Sequence, residues 1–165
     1  MINNFDICLE TLSQKQFFIK DDDNQKPSYI VETNGEFKVL NNTNDTIHFL
    51  KTDSCVYSSK PPKRCDCILY NNNTVCFIEL KHTKRTQWKS KRESAEKQLE
   101  TTILELKNEK IIQNKTLEAF MCCTFCDIND NITKISRATN KIETITYFED
   151  ELNTALYCDN KKEFN

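Results

Sequence analysis

The feature that most constrains this chain is RCDCILYNNNTVCFIELKHTK, residues 64–84. Two short apolar, β-rich runs flank an Asn-rich turn, which is the pattern of a β-hairpin. Pro61 and Pro62 stand before it and donate no backbone hydrogen bonds, so the first strand is expected to begin after them. Side chains alternate across a strand, so Glu79 and Lys81 share one face while Ile78 and Leu80 share the other. Asp66 lies in the partner strand and alternates with Cys65 and Cys67. Pairing through the turn would bring Asp66 toward the Glu79 face. Two carboxylates and an ammonium inside apolar strands do nothing for packing, so they are either a structural ion pair at a strand end or a site of chemistry.

The surrounding pattern predicts the rest of the fold. Ile7, Cys8 and Leu12 have helical spacing, so a short amphipathic helix carrying Glu10 is expected near the N-terminus. KDDDNQKP reads as a polar loop. Asn34-Gly35 in SYIVETNGEFKVL suits the tight turn of a second hairpin. TIHFLKTDSCVY reads as a strand. From Lys89 a long helix is expected, with Ala95, Leu99, Ile103 and Leu106 as its apolar stripe. TLEAFMCCTF is a strand buried on both faces. Apolar residues from Ile132 to Leu152 recur every three or four positions and predict a last helix, with ALYCDN a short final strand. The expectation is one α/β domain over residues 1–165, a central mixed sheet flanked by helices.

Composition removes several classes. The net charge of −2 supplies no global attraction to nucleic acid, so any such binding must be local. MINNFDICLE has neither the basic start nor the long apolar run of a secretory leader, and no window matches a membrane span. A cytoplasmic protein without a membrane partner is expected, with its nine cysteines reduced. Cys123 and Cys126 have CxxC spacing, and Cys65 and Cys67 form a second close pair. Cys65 and Cys67, like Cys122 and Cys123, sit in strand-like apolar runs, where a reduced thiol acts as a small hydrophobe rather than as a zinc ligand.

Two carboxylates can hold Mg²⁺ or Mn²⁺, which prefer oxygen ligands and retain waters. A neighbouring lysine can orient an attacking water and stabilise charge on a phosphate. Residues 81–92, KHTKRTQWKSKR, add Lys84, Arg85, Lys89, Lys91 and Arg92 without an acid. This run can hold phosphates beside the metal, or form a solvated helix face. Trp88 within it can stack on a base or anchor the helix. His82 follows Lys81 and could reach a phosphate.

Asp66, twelve intervening residues and then Glu79-Leu80-Lys81 resemble the core of the PD-(D/E)XK nuclease superfamily, restriction-endonuclease-like in fold. The resemblance covers about residues 63–125 and looks most like small stand-alone microbial members. It implies Asp66 and Glu79 as metal ligands, the Leu80 carbonyl as a third, and Lys81 as the catalytic lysine. It also implies an acid from a preceding helix, for which Glu10 is the candidate, and a helical Gln, matched by Gln98. Cys65 stands where the name-giving Pro would be, and Thr102 where some exonuclease-like branches carry Tyr. The function so implied is Mg²⁺- or Mn²⁺-dependent hydrolysis of phosphodiesters, in DNA rather than RNA. The chain would act alone, as a homodimer, or as a subunit of a restriction or antiviral defence system. The alternative is a non-cutting domain of the same fold that binds or assembles through a protein partner.

Overall fold

The computed structural model describes residues 5–22, 25–57, 60–83, 85–126, 132–136 and 141–165. Of residues 22, 25–26, 85, 125–126 and 132–136 it describes the backbone alone. Three layers are stacked. The middle layer is a seven-stranded mixed sheet of β1 (Leu9–Leu12), β5 (Ile47–Lys51), β6 (Cys67–Tyr70), β7 (Thr74–Thr83), β8 (Thr116–Cys126), β9 (Ile132–Ser136) and β10 (Ala155–Tyr157). A four-stranded sheet covers one of its faces. That sheet runs in the order β11 (Lys161–Phe164), β4 (Phe37–Asn41), β2 (Gln16–Asp22), β3 (Gln25–Val31). Two helices, α1 (Trp88–Leu106) and α2 (Ile142–Leu152), pack on the other face. The α/β class is therefore as expected, but both helices share one side and a sheet takes the other.

Two apolar cores separate the layers. Leu99, Ile103 and Leu106 of α1 join Phe148 and Leu152 of α2 against Ile68, Val75, Phe77 and Met121. Each buried Leu or Ile in that stripe stabilises the fold by about 1.5–3 kcal/mol. Between the sheets, Phe17, Ile19, Phe37 and Val39 pack on Phe49, Cys67, Ile78 and Leu80. The long strand β8 pairs in parallel with β7 along one edge. Its other edge is shared, with β10 against residues 118–120 and β9 against residues 123–126.

Several sequence expectations are corrected. Residues 9–12 and 16–22 are strands, not a helix; β1 pairs antiparallel with β5, so sheet partners override the helical spacing of Cys8 and Leu12. The KDDDNQKP segment is largely strand, and residues 23–24 lie outside the described residues. β3 and β4 do not form a hairpin across Asn34-Gly35, because β2 lies between them and pairs with both. Asn34 does take a left-handed conformation (φ 60°). Gly35 serves a different need: a Cβ there would stand 2.6 Å from Phe18 Cβ and 2.7 Å from Ile19 O, so only glycine lets the chain cross over β2. The expected helix over 132–152 divides into β9 and α2, with residues 137–140 outside the described ones. Nor are the cysteines all reduced, since Cys8 and Cys55 form a disulfide.

Candidate active site at the β6–β7 fork

β6 and β7 are the predicted hairpin. Cys67 and Ile78 are the last pair of the register, so Asp66 and Glu79 stand one step beyond it. β6 ends at Cys67 while β7 runs on to Thr83, so the strands fork there. The Asp66 carboxylate occupies the fork and accepts the Leu80 N–H (2.6 Å), a donor that has lost its strand partner. Ile78 and Leu80 belong to the core between the sheets, whereas Phe77 belongs to the helix-side core. Glu79 and Lys81 therefore face the helices, as alternation predicts.

Burial at the fork is deep. Glu79 is 0% exposed and Asp66 8%, and the Lys81 side chain is 18% exposed. Lys81 Nζ makes an ion pair with Glu79 Oε1. Apart from that contact, neither Glu79 oxygen has a hydrogen-bond partner among the described residues. Burial pushes the Asp66 carboxyl up to about 7, against the opposing pull of Lys81; Asp21 and Asp53 add negative field to it. Burial first, and then Asp66, raise Glu79 well above the ordinary carboxylate range. Burial lowers Lys81, but Glu79 and Asp66 more than offset this and hold the ammonium charged. The centre thus holds more acid than base, and its deepest carboxylate has Lys81 as its one partner among the described residues.

The backbone that presents Asp66 is clamped. Its carbonyl accepts Thr52 N (3.1 Å), Asp53 N (3.4 Å) and Ser28 Oγ (3.4 Å). One residue earlier, Cys65 N donates to Thr102 Oγ1 (2.9 Å), and Cys65 O accepts the Thr52 hydroxyl. Thr102 Oγ1 in turn donates to Gln98 O (2.8 Å) and so ties the clamp to α1. Thr52 and Asp53 lie in the tight turn Thr52–Val56, which Cys55 staples to Cys8. Sequence reasoning missed Ser28, Thr52 and Asp53, whose roles come from distant elements. It noticed Thr102 only as a departure from the Tyr pattern.

The other candidates fall in different places. Glu10 is on edge strand β1 rather than a helix, opposite Phe49, and makes an ion pair with Lys51. Phe49 belongs to the core between the sheets, so Glu10 is on the opposite face from Glu79. Gln98 is buried beside the clamp, and its amide nitrogen donates to Ser94 O (3.2 Å) and Ser94 Oγ (3.0 Å) instead of reaching the carboxylates. Trp88 begins α1, partly buried against the helix-side core. Lys89 and Lys91 are exposed on its first turn, while Arg92 bonds Glu96 (3.0 Å). Lys84 and the Arg85 side chain lie outside the described residues.

His82 points away from Glu79. Its Nε2 is 3.0 Å from both Asp21 O and Glu36 Oε1, and its Nδ1 is 3.1 Å from Thr124 Oγ1. Cys65 and Cys67 are free and buried but lie in different cores, because Cys65 precedes the strand and escapes its alternation. The Cys126 side chain is outside the described residues. Among the described residues, no three His, Cys, Asp or Glu side chains converge into a ligand cage. No described helix is long and apolar enough to cross a membrane. Comparison with protein-family models, with curated proteins and with solved structures finds no match to this chain.

Proposed function

We propose that the chain is a metal-dependent phosphodiester hydrolase of the PD-(D/E)XK type, acting on DNA, alone or as a subunit of a restriction or defence system. One observation carries the reading: a fully buried glutamate whose one partner among the described residues is Lys81, one step beyond the last β6–β7 pair and so beside Asp66. Burying two carboxylates beside a single ammonium is costly unless a further cation joins them. Two carboxylates suit Mg²⁺ or Mn²⁺, which need few protein ligands. Asp66, Glu79 and the Leu80 carbonyl would hold the ion, which when bound would make a water nucleophilic and neutralise charge on phosphate.

The chain's own groups supply the rest. The Leu80 N–H fixes the Asp66 carboxylate, and the clamp of Thr52 and Thr102 fixes its backbone. The charged Lys81 side chain, next to Glu79, would orient the water and meet charge growing on the phosphate. Lys89 and Lys91, exposed at the start of α1, would hold neighbouring phosphates. The test is calorimetric titration of Mn²⁺ into wild type, Asp66→Ala and Glu79→Ala proteins, with plasmid nicking run alongside. The expected result is binding and nicking in wild type and neither in the variants. Folded variants that cut as well as wild type would overturn it.

The second reading is a non-cutting assembly module of the same fold that acts through a protein partner. That reading expects no Mn²⁺ binding in any of the three proteins.

A further inference from the structure

The Cys8–Cys55 disulfide lies at the fork end of the central sheet. The Lys51 N–H donates to the Cys8 carbonyl (3.0 Å), and Lys51 pairs with Cys67, which pairs with Ile78 in the last row before the fork. Cys8 belongs to the helix-side core and Cys55 packs against it, on the face toward which Glu79 and Lys81 point.

Cys55 is part of the turn Thr52–Val56. In that turn Thr52 N (3.1 Å) and Asp53 N (3.4 Å) both donate to the Asp66 carbonyl, and the Thr52 hydroxyl donates to the Cys65 carbonyl. Ser54 stands between these donors and Cys55 with φ 61°, the left-handed region that a residue with a Cβ avoids. The bridge, one residue further on, holds the chain in that shape. Cys65, Cys67, Cys76, Cys122 and Cys123 are free and buried, out of reach of a soluble thiol. Cys55 is only partly buried, so the bridge is open to attack on its Cys55 side.

We propose that this disulfide is a redox switch on the candidate site: oxidised, it holds the turn that positions Asp66, and reduced, it lets the turn go. The co-reactant is a dithiol. One of its thiolates attacks Cys55 Sγ, the S–S bond breaks, and Cys8 leaves as a thiolate that takes up a proton. The second thiol displaces Cys55 from the mixed disulfide, so the bridge gains two electrons and two protons while the dithiol becomes a disulfide. Ser54 can then leave the left-handed region, and the Thr52 and Asp53 donors leave the Asp66 carbonyl. The Thr102 tie to Cys65 and the Ser28 bond remain, so the change is local. A loosened Asp66 no longer fixes its carboxylate on the Leu80 N–H. The effect on metal binding rests on the hydrolase reading; the release of Asp66 does not.

The experiment is amide hydrogen exchange by NMR on the full chain in EDTA, before and after reduction with dithiothreitol, with thiol counting to show the bridge open. The amides of Thr52, Asp53 and Leu80 report the turn and the Asp66 carboxylate. They should exchange at least ~10-fold faster in the reduced protein, while amides of β4 and of residues 116–120 in β8 keep their rates. A Cys8→Ser/Cys55→Ser protein should match reduced wild type and ignore dithiothreitol. In calorimetry without reductant it should bind Mn²⁺ at least ~10-fold more weakly than oxidised wild type, as when a ligand loses its supporting bonds. Reduced protein whose three reporter amides exchange as in the oxidised form would overturn the proposal. So would protection lost alike in β4 and β8, because the bridge would then be a staple of the whole fold. Local loosening with no Mn²⁺ binding in either form would keep the switch on Asp66 and remove the hydrolase reading. Equal Mn²⁺ binding and nicking by oxidised wild type and the double variant would keep the hydrolase reading and overturn the switch.

Discussion

Replacing Asp66 by Asn should make the metal-free protein more stable, and by an amount that depends on pH. Asp66 is almost completely buried, and its carboxyl is raised from an ordinary 3.8 to about 7, chiefly by burial. Keeping it ionised in the fold at high pH therefore costs about 4 kcal/mol. Its stabilising contribution is fully present below pH 3.8 and is lost as pH rises through 7. Asn has nearly the same shape, keeps an oxygen for the Leu80 N–H, and carries no charge. The stability gap between variant and wild type should thus be small near pH 4. It should grow by about 1.4 kcal/mol per pH unit up to pH 7 and level off near 4 kcal/mol. Urea unfolding in EDTA, followed by Trp88 fluorescence from pH 4 to 8.5, measures both curves. Glu79 titrates in both proteins, and loss of the Asp66 charge lowers its carboxyl in the variant, which widens the gap in the same direction. A variant less stable than wild type, or a gap that does not change with pH, would refute the view that burial dominates at Asp66.

Three further outcomes follow from the same structure. Thr102→Val leaves the buried Cys65 N–H without its acceptor and should cost about 1–3 kcal/mol by urea unfolding, with lower Mn²⁺ affinity as the clamp loosens. Gly35→Ala pushes a methyl into Phe18 and the Ile19 carbonyl, and the backbone shift should cost about 1–3 kcal/mol in the same assay. Cys55→Ser, or reduction of wild type, opens the bridge across a sequence separation of 47 residues and should cost about 4 kcal/mol on the chain-entropy model. Unfolding of Cys55→Ser with and without dithiothreitol checks this, since the variant should be insensitive to the reductant.

The parts legible in the sequence are those whose causes are local. The hairpin of β6 and β7 is written in its apolar arms and Asn turn, and the shared face of Glu79 and Lys81 follows from period two alone. The helix α1 announces itself through Ala95, Leu99, Ile103 and Leu106, all of them buried. Where partners decide, local pattern misleads. Cys8 and Leu12 keep a helical interval, yet β5 recruits residues 9–12 into the sheet. The apolar period from Ile132 to Leu152 runs across two separate elements. Asn34-Gly35 looks like a hairpin turn because nothing local reveals that β2 has been inserted between β3 and β4. The clamp on Asp66 draws on residues 28, 52 and 102, which only the tertiary fold brings together.

The position of β11 has a consequence in time. It pairs in parallel with β4, and Asn42 and Asn165, 123 residues apart in sequence, join by a side-chain hydrogen bond (2.8 Å). Phe164 fills part of the core between the sheets. During synthesis β2, β3 and β4 emerge early, but the strand that shields the β4 edge emerges only after both helices and the whole central sheet. Until then β4 offers an open edge and the core beneath it lacks an aromatic ring. Closing so long a loop is a slow folding event. A nascent chain of this protein therefore carries a vulnerable edge at β4 that the finished fold covers, and a chaperone or an identical neighbour on the same polysome would meet it there.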